Sequence, residues 1–262
     1  MKMTTMGQLQ GQRHSPRSSL LKLQVCFFLV PPSSYFPFML STARGYPSSL
    51  EELATYIEQP RFPELLRRFL YDQLNPGAMI SSDDITLDQC PILNSRILVY
   101  HSAIARFFAP SDLCGAGGMY QERIRSNPNW RGECARHDTV FIQMEAGQGG
   151  MRDMVIGRVQ LFFSFSFNRN RYPCALVQLF ISEDDPDEDT GMWVVRPQFI
   201  GNGRQRTLAI VHLDCIVRGA HLLPVFGSSF VPPEVHYSDS LDIYRAYFVN
   251  NNIDHHCNEF LS

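Results

Sequence analysis

Val155-Ile-Gly-Arg-Val-Gln-Leu-Phe-Phe-Ser-Phe-Ser-Phe167 carries apolar side chains at Val155, Val159, Leu161, Phe163, Phe165 and Phe167. Arg158, Gln160, Ser164 and Ser166 fall between them. Successive side chains on a strand point to opposite faces, so this period of two reads as a β-strand with one buried and one solvated face. Asn168-Arg-Asn-Arg171 reads as a hairpin turn into a second strand over 172–181. Further strands are expected over 139–143, 192–196 and 207–213. None of them carries a chemical motif, so this region argues for an architecture rather than a reaction.

Working outward, helices are expected before the sheet. Ser49 and Glu52 form a capping box ahead of Leu53, Tyr56 and Ile57, and Pro60 ends that helix. Pro63 suits the first turn of a second helix with Leu66, Phe69, Leu70 and Leu74, stopped by Asn75-Pro76-Gly77. The apolar stretch 97–108 reads as a helix or as the start of a strand at 96–100. Residues 110–136, with Gly115, Gly117, Gly118 and Asn127-Pro128-Asn129, read as a long loop. Beyond the sheet, Asp214 caps a short expected helix reaching His221, and Ser238 or Ser240 caps another over Leu241, Tyr244, Ala246 and Phe248.

The bulk numbers suit a packed globular chain: 262 residues, 44% hydrophobic and 12% aromatic. The net charge of -3 is uneven. Lys2, Arg13, Arg17, Lys22 and Arg44 occur before the first acid, Glu51, so residues 1–50 carry +5 and the remainder -8. A body of that charge repels phosphate backbones in general, though a local arginine patch overrides this where it gathers. Seven cysteines stand singly, without the C-x-x-C spacing of a zinc ribbon, as reduced thiols of an intracellular protein do. Residues 1–46 are Ser-, Pro- and Arg-rich and read as a disordered leader. The apolar run at 20–30 is too short for a membrane span of ~20 residues.

The chemical candidates weaken on inspection. Gly115-Ala-Gly117-Gly118 lacks the third glycine of a dinucleotide fingerprint. Asp185, Asp187 and Asp189 are spaced like calcium-loop ligands, but Thr190 stands where glycine is needed and Arg196 where a bidentate Glu is needed. His212, Asp214 and His221 are weak metal candidates with no H-E-x-x-H among them. Asp214 ends a strand as the first metal-binding Asp of a ribonuclease-H-type nuclease does, but too little chain follows for that fold's other carboxylates. No G-x-S-x-G elbow occurs. No cofactor is implied.

Several segments resemble the C-terminal region of transposase proteins of the basidiomycete Plavaka/KDZ type. They include Pro60-Arg-Phe-Pro-Glu-Leu-Leu-Arg-Arg-Phe-Leu-Tyr-Asp-Gln-Leu-Asn-Pro76 and His101-Ser-Ala-Ile-Ala-Arg-Phe-Phe-Ala-Pro-Ser-Asp112. Arg123-Ile-Arg-Ser-Asn-Pro-Asn-Trp-Arg131, Asp187-Glu-Asp-Thr-Gly-Met-Trp-Val-Val195, His212-Leu-Asp-Cys-Ile-Val-Arg-Gly-Ala-His-Leu-Leu-Pro224 and Asp242-Ile-Tyr-Arg-Ala-Tyr-Phe-Val249 continue it. The resemblance spans about 46–257 and implies a fungal transposon-derived fragment without the catalytic core, acting in the nucleus. It transfers no catalytic residue.

The expected fold is α+β, a leader at 1–46 and one domain at 47–262. Helices at 47–109 pack on a mostly antiparallel sheet or small SH3- or BAH-like barrel at 138–213, and a helical tail covers 214–257. The leading expectation for function is a non-catalytic, transposon-derived interaction module with a protein partner or self-association and no membrane. The alternatives are a chromatin or DNA reader using Arg169, Arg171, Arg196, Arg204 and Arg206, and a metal-dependent hydrolase using His212, Asp214 and His221.

Overall fold

A computed structural model describes residues 38–39, 42–110, 117–144, 149–201, 203, 205–226, 230–231 and 233–261. In chain order these form β1 (Phe38–Met39), α1 (Leu50–Tyr56), α2 (Phe62–Leu74), β2 (Leu98–Tyr100), β3 (Ser102–Phe108), β4 (Met119–Trp130) and β5 (Cys134–His137). The path continues through β6 (Thr139–Gln143), β7 (Met154–Phe167), β8 (Asn170–Ser182), β9 (Val194–Pro197), β10 (Phe199–Ile200), β11 (Gln205–Arg206) and β12 (Leu208–His212). It ends with β13 (Ile216–Ala220), β14 (Leu222–Pro224), α3 (Ser240–Ile243), β15 (Tyr247–Val249) and α4 (His255–Leu261). The α+β expectation holds: a large antiparallel sheet is nearly closed into a barrel, with short C-terminal helices.

The large sheet runs β13-β6-β7-β8-β9-β15-β14, with β2 also on β7 and β12 also on β8. Its spine is the β7–β8 hairpin, paired from Phe167↔Asn170 to Ile156↔Phe180. Asn168 and Arg169 both take positive φ, 49° and 67°, as the two central residues of a tight type I′ connection do. Asn170 and Arg171 therefore belong to β8 rather than to the turn.

The alternation in β7 does not run straight through. The pairing passes from Val159↔Val177 to Leu161↔Leu176, leaving Gln160 as an extra residue. Such a bulge switches the faces of the residues after it. Val155 and Val159 join Phe162 in the barrel interior with Val140, Ile142, Ala175, Val177, Ala209 and Val211. Leu161, Phe163 and Phe165 instead face outward under the N-terminal helices, against Leu53, Phe62, Leu66 and Leu70. The even positions are thus not a solvated face: Phe162 and Ser164 are buried. Phe62 meets Phe163 edge-on at 5.2 Å between ring centroids. Further along the outer face, Ile156 and Phe180 pack with Phe141, Tyr247, Val249 and Cys257.

α1 and α2 form where expected. The Ser49 side chain accepts the Glu52 N–H at 3.3 Å, and Pro63 sits in the first turn of α2. Elsewhere the chain is more extended than its local pattern suggests. Residues 97–108 are strands β2 and β3, because Val99, Tyr100, Ala103 and Ala105 are buried by sheet neighbours. The expected loop at 110–136 is mostly the β4–β5 hairpin, paired with β3 from Ser102↔Arg125 to Phe108↔Met119. The expected helix after Asp214 is one 3-10 turn, Leu213–Cys215, followed by β13 and β14. The helix begun at Ser240 stops at Ile243, and Phe248 lies in β15. The fold also reaches back past Pro47, since Phe38 and Met39 pair with Ile104 and Ala103. No helix among the described residues is long and apolar enough to cross a membrane.

Phe163→Ala should cost about 3–5 kcal/mol in urea unfolding, because its fully buried ring joins the sheet to α2. Deleting Gln160 should abolish cooperative unfolding. Without the bulge, Leu161, Phe163 and Phe165 turn into an interior already filled, and Phe162 turns out of it.

Candidate anion-binding face and cleft

Outward-facing arginines gather on the small sheet β1-β3-β4-β5. Ile124 and Ser126 of β4 are buried, so Arg123 and Arg125 lie on the opposite, outer face. Paired residues of an antiparallel ladder share a face. Gln121↔Arg106 and Asn127↔Arg136 therefore place two more arginines beside them. The hairpin tip adds Trp130 and Arg131. Arg125, Arg131 and Arg136 stand 4.9, 5.4 and 5.4 Å from the Trp130 ring centroid, within cation–π reach.

Negative charge on this face is sparse. Asp138 accepts Arg136 Nε at 2.8 Å and the Arg125 backbone N–H at 2.9 Å. Burial lowers the pKa of the Arg125 guanidinium, and Arg136, Arg123 and Arg131 lower it further against the opposing pull of Asp138. That balance marks crowded positive charge. Arg125 Nε is buried without a hydrogen-bond partner among the described residues.

Beside the face lies a cleft of about 700 Å³. Arg123, Arg125 and Arg136 line one wall, Arg218 and His221 another, and Leu241 closes one side. Gly219 lets the walls approach: Glu122 Oε2 accepts its N–H at 2.9 Å, and a Cβ there would lie 2.5 Å from Glu122 Oε1. The Arg218 side chain is only 3% exposed. Its Nη1 donates to Asp254 Oδ1 at 3.0 Å, Nη2 donates to Asp254 Oδ2, and the guanidinium lies 4.8 Å over the Phe107 ring. Burial alone would lower the Arg218 pKa, but Asp254, Cys257 and Glu122 outweigh it and hold the pKa up. Hydrogen bonds from Arg218 hold the Asp254 carboxyl below its ordinary range. Burial pushes the Cys257 thiol up to about 11, as expected of a structural rather than reactive cysteine.

The five arginines singled out from sequence do not form one patch. Arg171 Nη2 donates to the Tyr100 hydroxyl at 2.5 Å. Arg169 sits at the neighbouring turn. Arg196 pairs with Glu183 and lies opposite Ile181, ten residues along β8 from Arg171, or roughly 33 Å at ~3.3 Å per residue. Arg206 turns onto Asp242, and Arg204 lies outside the described residues. The metal candidates are engaged locally. His212 Nδ1 accepts the Asp214 N–H at 3.4 Å, and His221 Nδ1 is 3.1 Å from Asn250 Nδ2. Among the described residues no three His, Cys, Asp or Glu side chains group as a metal site. The arginines of β4 and β5 escaped sequence reading because Ile124 is the only buried apolar residue of β4, too little to reveal a period of two.

No family model matches the chain, and no curated protein or solved structure matches it.

Asp254→Asn should destabilise the fold by about 3–5 kcal/mol at pH 7, since it leaves Arg218 buried without its countercharge. The folded-state pKa of Asp254 is depressed, so its contribution is complete above the unfolded value of ~4 and is lost as pH falls through the folded value. Urea unfolding at pH 7 and pH 3 should therefore show the gap between wild type and variant shrinking in acid.

Proposed function

We propose that this chain is a non-catalytic interaction module whose β4–β5 face holds the phosphates of duplex DNA. The supporting observation is the trio of arginines around Trp130, with Arg123 alongside and Asp138 as the nearest paired acid. Guanidinium forks suit phosphate oxygens, and an indole adds a flat apolar surface. The -8 carried by residues 51–262 makes binding local and salt-sensitive rather than general. The resemblance to Plavaka/KDZ transposase C-terminal regions supports a transposon-derived origin and a nuclear setting for the module.

A second reading is self-association. The exposed turn Glu183-Asp-Asp-Pro-Asp-Glu-Asp189 complements the arginine face of another copy. Its Asp187 already accepts the Thr190 N–H at 2.9 Å, which shapes the turn; Asp184, Glu188 and Asp189 stand exposed on it, while Glu183 and Asp185 pair with Arg196 and Arg152.

Fluorescence anisotropy of the full chain against duplex DNA at two salt concentrations tests the first reading. Saturable binding that weakens steeply with salt is expected. Arg123→Ala and Arg131→Ala, both at exposed positions, should each weaken it and reduce the salt slope by about 1. Absence of binding at low salt overturns this reading. Salt-sensitive dimerisation in sedimentation, lost on neutralising the exposed Asp184 and Glu188, would then favour the second.

A further inference from the structure

A different arginine pair lies on the outer face of the large sheet, between the cluster under the N-terminal helices and the one under α4. Arg158 and Gln178 are direct cross-strand partners, and Gln160 is the bulge residue two positions on. Arg206 reaches the same area from β11, 5.4 Å from the Phe180 ring centroid and 5.2 Å from that of Phe199. The Arg158 and Arg206 side chains are only 11% and 14% exposed.

One carboxylate answers both. Arg158 Nη1 donates to both Asp242 oxygens at 2.8 Å, and Arg206 Nη2 stands 3.6 Å from Asp242 Oδ1 while donating to the Leu241 carbonyl at 2.9 Å. Asp242 itself is 52% exposed and sits on the four-residue helix α3. Two nearly buried cations thus share one half-exposed anion. The surroundings remain under-satisfied: Arg158 Nε, Arg206 Nη1, Gln160 Nε2 and Gln178 Oε1 are buried without hydrogen-bond partners among the described residues. Buried donors of this kind are costly unless an acceptor reaches them. Three of the four atoms are N–H donors around a positive centre, which is the chemistry of an oxyanion receptor.

We propose that Arg158, Arg206 and Gln160 form an oxyanion-binding site that takes a carboxylate or phosphate group, and that Asp242 is its internal occupant. An incoming phosphate brings more acceptor oxygens than Asp242 offers, and an untethered carboxylate brings the same two free to reach the donors that Asp242 leaves unmet; either displaces the α3 segment from the sheet. Leu241, on that segment, also lines the cleft beside the arginine–tryptophan face, so displacement widens the cleft. The site is separate from that face, and its test does not depend on DNA binding.

The test is isothermal titration of inorganic phosphate, and in parallel of acetate, into the full chain at constant ionic strength. Asp242→Ala empties the site and should bind at least one of the two anions at least tenfold tighter than the wild type. Asp242→Asn, which keeps the side-chain shape, should show the same direction. Adding Arg206→Ala to Asp242→Asn should remove the gain, separating the site from general salt effects. Preference for acetate assigns a carboxylate ligand, and preference for phosphate a phosphorylated one; either supports the site. If Asp242→Asn takes neither anion better than the wild type, the proposal is overturned.

Discussion

β7 has to serve two cores at once, and the extra residue at Gln160 makes this possible. Before the bulge, Val155 and Val159 point into the barrel; after it, Phe162 does, and Leu161, Phe163 and Phe165 cover the underside of α1 and α2. The bulge also marks where β7 leaves β6, last paired at Thr139↔Arg158, and takes up β2 at Tyr100↔Phe162. The gap in the ladder is filled from the end of β5 and the residue after it: the Val159 N–H donates to the Asp138 carbonyl at 3.0 Å, and His137 Nδ1 lies 2.9 Å from the Val159 carbonyl. Burial and then Arg158 lower the His137 pKa, which suits a neutral ring in that place. Barrel curvature, helix docking and the position of the β4–β5 hairpin all follow from one inserted residue.

Arginine is the cation of the whole described structure, because both lysines, Lys2 and Lys22, lie outside the described residues. Guanidinium is less strongly hydrated than ammonium and can be half-buried against rings and carboxylates. The chain uses this in several ways. Arg218 lies between Asp254 and Phe107 and fastens the start of α4 to the sheet. Arg67 donates to the carbonyls of Leu87, Cys90 and Pro91, holding an irregular segment against α2. Arg171 binds the hydroxyls of Tyr100 and Ser164. The β4–β5 face is the exception in which several arginines crowd together with little acid to answer them.

The same constraint links stability to the shape of the cleft. Arg218 and Asp254 line the cleft and also fix its wall, while Gly219 lets Glu122 bond the backbone of the opposite strand. α3 is held differently, through its charged contact with Arg158 and Arg206 and through the Ser240 carbonyl, which accepts from the Tyr247 hydroxyl at 2.8 Å. Polar contacts to a partly exposed carboxylate are exchanged for other anions more readily than a buried apolar core is opened.

The sequence alone determined the parts whose signal is local. Ser49, Pro60, Pro63 and Asn75-Pro76-Gly77 delimit α1 and α2 through capping and backbone geometry, and Asn168-Arg169 marks the β7–β8 turn. It also established the uneven charge and the absence of familiar catalytic spacings. Tertiary structure decided whatever depends on neighbours distant in sequence. The 97–108 stretch is apolar enough for either periodicity and becomes strand because β1, β4 and β7 supply its hydrogen bonds. β4 reads as loop because its inward positions include Glu122 and Ser126, polar residues satisfied by Gly219 and His137 from other strands. The arginine groupings are likewise products of register: Arg106 meets Gln121 and Arg136 meets Asn127 only once the ladder is formed, whereas Arg171 and Arg196 are carried to opposite ends of β8.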